Sequence, residues 1–355
     1  MGFNKNQLLI LVVALAGLLI LGYSSHFSNQ FPIHIDEWRH ITESIKLKEG
    51  NIQTGIGTSE IGFHLFLVFL SYFYDIVFIY KFLPAIWALF SALALFYITK
   101  KKTSNLNNSF MISLFSVIFF ASIKSNANIT GLWFFTPLTF SIPFIYLYVY
   151  YFTEGLASCN KKYIIYSLVI MIFLIPIHSI SVLFSIPFLA IYSFFHSDYI
   201  KNEYRFFLLF LLIPLLGILF FSYITDSSLI GSLKDLFLQL QFRKGWGVLE
   251  INNSFLEMYS FTGYVLAVFG FIYIIETRNK LKKYFAYILW PIAVLTLIIV
   301  FKLTGMSFFS PYQRNLYYFV ISLPFLSSLG LYYIIIKIGK LSIIEDKSKI
   351  IYKMI

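Results

Sequence analysis

Apolar residues dominate this chain in long blocks, without the alternation of apolar and polar positions that marks a soluble fold. Eleven blocks run at 7–24, 62–79, 83–99, 109–123, 132–152, 163–177, 180–195, 205–224, 258–275, 284–303 and 315–337. A helix needs about 20 apolar residues to cross the hydrocarbon of a bilayer, and only helices or closed barrels satisfy their backbone there. The pattern therefore predicts an all-α fold, a polytopic transmembrane helical bundle forming one integral membrane domain over residues 1–355. One polar interruption stands out. Between the first and second blocks, Phe31-Pro-Ile-His-Ile-Asp-Glu-Trp-Arg-His40 gathers His34, Asp36, Glu37, Arg39 and His40 within seven residues. After Asp36 the apolar positions Trp38, Ile41 and Ile45 recur at helical spacing, which predicts a short amphipathic helix along the membrane surface. Asp36 is then either the N-cap of that helix, its companions forming a solvated face, or part of a site.

Composition agrees with this picture. Of 355 residues, 59% are hydrophobic and only 12% charged, against about 25% charged in soluble domains. The net charge of +11 is accounted for by loops that obey the positive-inside rule, not by a nucleic-acid partner. A single cysteine, Cys159, excludes an internal disulfide and a cysteine-based metal site. The first block is long for a signal-peptide core and has no small-residue cleavage site near Gly22-Tyr-Ser-Ser25, so it is expected to remain as a helix.

Basic clusters orient the blocks. Lys100-Lys101-Lys102, Lys161-Lys162, Lys201 with Arg205, Arg278 to Lys283, and the tail from Lys337 to Lys353 fall on one side if every block after 80 crosses. That side is the cytoplasm. Two topologies survive. In one, 62–79 does not cross and the Asp36 loop is external; in the other, 62–79 crosses and that loop is cytoplasmic. Charge counting slightly prefers the second. Gly62, His64 and Asp75, however, make 62–79 a mediocre span. In the first topology residues 25–82 form a first external loop, 225–257 a second, and 340–355 a short, frayed cytoplasmic tail.

Few residues can carry chemistry. His178, in Ile175-Pro-Ile-His-Ser-Ile-Ser181, lies between two apolar blocks of about 15 residues, each spanning about 22 Å. The turn should therefore sink to the outer membrane boundary, where ionisable groups are functional candidates. Arg314, in Pro311-Tyr-Gln-Arg-Asn-Leu-Tyr-Tyr318, opens the last block. An arginine at an external helix N-terminus opposes the helix dipole but suits an anionic phosphate; the bland alternative is a snorkelling interfacial side chain. Asn126 and Asn128 either contact sugar hydroxyls or cap the next helix. Asn128-Ile-Thr130 and Asn252-Asn-Ser254 match the glycosylation acceptor pattern. Glu37-Trp-Arg-His40 is a lone E-x-x-H. There is no phosphate-binding glycine loop, no dinucleotide fingerprint and no His-Glu-x-x-His.

Together, Ile35-Asp-Glu-Trp38 just after the first block, Gly62-Phe-His-Leu-Phe-Leu-Val-Phe-Leu70, Phe82-Leu-Pro-Ala85, Pro176-Ile-His178 and Gln313-Arg314 resemble the C-superfamily of membrane glycosyltransferases, the GT-C fold. That group includes protein O-mannosyltransferases, aminoarabinose transferases and oligosaccharyltransferase catalytic subunits. The resemblance implies about ten crossings plus a non-crossing external helix at 62–79, with both termini in the cytoplasm of a cell-membrane protein. It implies transfer of a sugar, with inversion, from a polyprenyl-phosphate donor to a protein, lipid or glycan acceptor on the outer face, with membrane lipids around the site. Asp36 would be the general base beside Glu37. Arg314 and Gln313 would hold the lipid phosphate, with His178 and His40 orienting it. A divalent metal ion, if one takes part, would be held by Asp36, Glu37 and His178; no nucleotide cofactor is needed. The chain departs from the family where a second external acid is common, offering Asn126 and Asn128 instead, and it lacks a soluble C-terminal domain. Two other classes remain: a flippase or transporter of lipid-linked sugars, and a catalytically inactive subunit of the same fold.

Overall fold

A computed structural model describes residues 4–51, 60–124, 132–208, 241–243 and 255–354, together with Leu212 and Leu216. The described chain is helical almost throughout, as the block pattern predicts. In order the helices are α1 (Lys5–Tyr23), α2 (Ile35–Lys48), α3 (Ile61–Ser71), α4 (Ile76–Tyr80), α5 (Leu83–Lys102), α6 (Ser109–Ala121), α7 (Pro137–Ala157), α8 (Lys161–His178), α9 (Ile180–Leu183), α10 (Ile186–Phe194) and α11 (Ser197–Asn202). After them come β1 (Gln241–Arg243), α12 (Phe261–Glu276), α13 (Arg278–Thr304), β2 (Met306–Phe308) and α14 (Tyr312–Met354). Five helical stretches, Lys5–His26, Leu83–Lys102, Lys161–His178, Lys283–Thr304 and Tyr312–Gly339, are long and apolar enough to cross a membrane. The protein is thus a membrane protein by the character of its helices.

Several boundaries differ from those the pattern suggests. The 62–79 block is two helices, because Asp75 accepts from the Phe78 N–H and starts α4 afresh. At 11 residues, α3 is only about 16 Å long, too short to span hydrocarbon. The 132–152 block begins its helix at Pro137, after Phe135 and Thr136 have been drawn into other hydrogen bonds. The turn expected around His178 is instead the last residue of the 18-residue α8. The tail expected to fray continues α14 as far as Met354. Most of the 205–224 block and of the 225–257 loop lies outside the described residues.

The bundle core forms where α14 packs against α12, α13 and α6. Gly270 of α12 and Gly330 of α14 meet face to face. A Cβ on Gly270 would stand 2.0 Å from the Leu326 carbonyl oxygen, and one on Gly330 would stand 1.8 Å from that of Leu266. Such close approach of backbones is how helices gain dispersion contact where lipid supplies no hydrophobic drive. Tyr146 of α7 reaches α14 by donating to the Ile321 carbonyl at 2.6 Å. Lys102 does not stay with its basic neighbours in solvent: it turns inward, is buried, and pairs with Glu154.

A second, smaller core lies under the first loop. Ile41, Phe63, Leu67, Ile76, Tyr80, Leu83, Phe135, Phe140 and Ile177 form it, drawing on α2, α3, α4, α5, α7 and α8. The Asp36 loop is therefore a folded cap with its own apolar support.

Candidate active site

α2 is built inside out relative to a helix in water. Its buried residues are Glu37, His40, Ile41 and Ser44, a 3–4 spacing that is mostly polar, while Ile35, Trp38 and Ile45 are exposed. The apolar stripe read from the sequence is split, with only Ile41 turning inward. The N-cap is His34, whose Nδ1 accepts the Asp36 N–H at 3.2 Å. Asp36 is thus in the first turn and not the cap; it remains partly exposed, 3.5 Å from His34.

Glu37 has a different environment from its neighbour. Its side chain is fully buried. One carboxylate oxygen accepts from the Ile33 and His34 N–H groups at 3.0 and 3.1 Å, the other from the Phe135 N–H at 2.8 Å. Tyr80 donates to the carbonyl of the same Phe135, so that peptide segment is held on both sides. Burial raises the Glu37 pKa above the ordinary carboxylate value, and the three backbone donors pull it back. With both oxygens engaged by backbone, Glu37 joins the first loop to the segment preceding α7. Its backbone contacts are structural, in contrast to the partly exposed Asp36 beside it.

α3 lies against α2 and presents His64. On its other side α3 approaches α8 at Gly62, where a Cβ would meet the Pro176 carbonyl oxygen at 3.0 Å and Ile177 Cγ1 at 3.1 Å. This contact brings the end of α8, with His178, against the start of α3. His40 and His64 are both buried, with His40 Nδ1 3.0 Å from His64 Nε2. Glu60, one turn before His64, places its Oε2 4.0 Å from His40 Nδ1. Burial lowers both imidazoles; His64 falls to about 4, with the Glu43 charge opposing the shift and Arg39 adding to it. Burial raises Glu60, while Arg39 and Arg314 act to keep it ionised.

Arg314 enters from the far end of the sequence. The loop before α14 is fixed by Asn315, which donates to Ser307 Oγ at 2.9 Å and to the Ser310 carbonyl at 3.3 Å, and accepts from the Ser310 hydroxyl. β2 pairs antiparallel with β1, Phe242 opposite Ser307, which braces the same loop. Gln313 is buried beside Arg314 in the first turn of α14. From there the Arg314 charge acts on His40, Glu60 and His178. His178 Nδ1 lies 2.6 Å from Ser181 Oγ, and Ser181 Oγ lies 3.2 Å from Tyr318 Oη.

The Asp36 charge also acts on Glu60, so Asp36, His40, His178 and Arg314 of the expected set lie within electrostatic reach of one cluster. Asn126 and Asn128 lie outside the described residues, as do both glycosylation acceptor patterns. The expected ligand set of Asp36, Glu37 and His178 does not form: among the described residues, the group of three whose ligand atoms come together is His40, Glu60 and His64. Sequence reasoning named Arg39 and His64 without giving either a role, and did not single out Glu60 or Glu43. The signal for Glu60 and His64 was their i, i+4 spacing at the start of an apolar helix.

No protein-family model matches this chain, and no curated protein matches it in sequence.

Proposed function

We propose that this protein is a membrane glycosyltransferase of the GT-C type, moving a sugar from a polyprenyl-phosphate donor to an acceptor on the outer face. One observation carries the reading: Arg314, at the start of the last helix, acts electrostatically on His40 and Glu60 of the first loop and on His178 at the end of α8. A guanidinium from one end of the chain thus lies within electrostatic reach of an acidic, histidine-rich loop from the other.

In the proposed reaction Asp36 accepts the proton of the acceptor O–H or N–H as that atom attacks the anomeric carbon. The new bond forms on the face opposite the breaking C1–O bond, so configuration inverts. The bonding pair leaves with the phosphate oxygen, and Arg314 meets the charge growing there in a water-poor setting. Gln313 and His178 position the phosphate. Asp36 suits the base because it stays accessible, whereas Glu37 is closed off by backbone donors. The short α3 supports a first loop that does not cross the membrane; the same reading takes that loop as external, with about ten crossings and both termini in the cytoplasm of the cell membrane.

The test uses a polyprenyl-phosphate sugar, labelled in the sugar and reconstituted with the purified chain in vesicles together with candidate acceptors. Transfer predicts release of polyprenyl phosphate and a labelled acceptor. Exchange of intact donor between leaflets, with its sugar–phosphate bond uncleaved, would make the protein a flippase instead.

A further inference from the structure

The His40, Glu60 and His64 cluster has a use that the transfer chemistry leaves unassigned. We infer that these three side chains bind a single Zn2+ ion with one coordination position left open. Two imidazole nitrogens and one carboxylate oxygen are the donor set of open zinc sites. Nitrogen donors favour zinc over magnesium and calcium, which prefer oxygen.

The geometry is close to what the ion requires. All three ligand atoms lie within 4.8 Å of one another. In a tetrahedral zinc site, ligand atoms about 2.0–2.1 Å from the metal are separated by ~3.3 Å. The 3.0 Å between the two ring nitrogens needs to open by a few tenths of an ångström. The 4.0 Å between Glu60 Oε2 and His40 Nδ1 closes by rotation of the glutamate side chain, which keeps 22% exposure.

The surroundings hold the rings for this task. Phe63 packs its ring edgewise to His40 at 5.2 Å. Both imidazoles are buried, His40 to 4% and His64 to 1% exposure, and come from two different helices. The Glu43 carboxylate, itself paired with Lys46 at 3.4 Å, acts on the His64 ring. Arg39 and Arg314 also act on Glu60; these cations make the pocket attractive to an anionic fourth ligand once the zinc is in place. The competing arrangement is a plain N–H···N bond between the two rings, which uses up one of the nitrogens that zinc needs.

The inference is independent of the transfer reaction, because it is read by binding to the purified full-length chain. After chelator treatment and dialysis against Zn2+, the detergent-solubilised protein should retain one zinc per chain. Co2+ in its place should give the visible absorption of a low-coordinate nitrogen–oxygen site. His40→Ala, His64→Ala and Glu60→Gln should each abolish retention. His196→Gln, on a histidine bonded instead to the Tyr192 carbonyl, should leave it intact. Should the histidine variants fail to fold, Glu60→Gln together with the cobalt spectrum of the wild type decides the matter. No retained zinc in the wild type, retention unchanged in Glu60→Gln, or equal retention of Mg2+ would each overturn the assignment.

Discussion

The Glu37 carboxylate accepts the Phe135 backbone N–H at 2.8 Å, tying the loop after the first helix to the segment that leads into α7. Replacing Glu37 by Gln presents an amide N–H₂ to one of three backbone donors, leaving a buried donor unsatisfied. A cost of about 1–3 kcal/mol is expected, read as a lower melting temperature in detergent. The pH dependence follows from the raised pKa. A carboxyl whose folded pKa exceeds its unfolded one stabilises fully below the unfolded value of 4.5 and loses that contribution as pH rises through the folded one. The advantage of the wild type over Glu37→Gln should therefore narrow as pH rises from 4.5. A gap that widens would mean the ionised form is the one the backbone donors hold.

Asp36→Asn keeps size and position while removing a base. Asp36 lies 3.5 Å from the N-cap His34 and is partly exposed, so insertion and melting should hardly change. Sugar transfer should fall by about 10²-fold or more, with donor binding retained. Normal turnover in this variant would remove Asp36 from the reaction.

Arg314→Lys should behave oppositely. A planar fork of donors that can grip a phosphate bidentately becomes a point charge. Binding of the lipid-phosphate donor should weaken strongly. Equal donor affinity in the lysine variant would return Arg314 to an interfacial role.

Gly62→Val should disturb the site without touching its chemistry. Even a bare Cβ would stand 3.0 Å from the Pro176 carbonyl oxygen, and overpacking of this kind costs about 1–3 kcal/mol. The shift should push α3 off α8, lowering the melting temperature. Gly62→Ala should show a smaller loss. A valine variant as stable as wild type would show that α3 has room to move.

Orientation is checked with single cysteines in a Cys159→Ser background. Glu49→Cys, at the end of α2, and Lys101→Cys, at the end of α5, are both exposed positions. An impermeant maleimide should label Glu49→Cys in intact cells and Lys101→Cys only after permeabilisation. Labelling of Glu49→Cys from the cytoplasm alone would place the site on the inner face.

The sequence by itself determined the all-α membrane character, because hydrocarbon imposes block length and internal hydrogen bonding on any chain that crosses it. It also marked the acidic stretch and Arg314, since charged groups beside a membrane stand out against so apolar a background. The faces and partners were decided only by the tertiary structure. Trp38, Ile41 and Ile45 share helical spacing, yet lipid accepts an exposed Trp38 and Ile45 at no cost, so apolar spacing does not say which face turns inward. Asp36 and Glu37 are adjacent and chemically alike. What separates them is a backbone N–H from Phe135, a residue 98 positions away. The meeting of Glu60 and His64 with His40 depends on two short helices packing side by side, and the reach of Arg314 toward them on a loop locked by Asn315. Local spacing carries no record of such long-range contacts, because the free energy that selects them comes from the packed bundle as a whole.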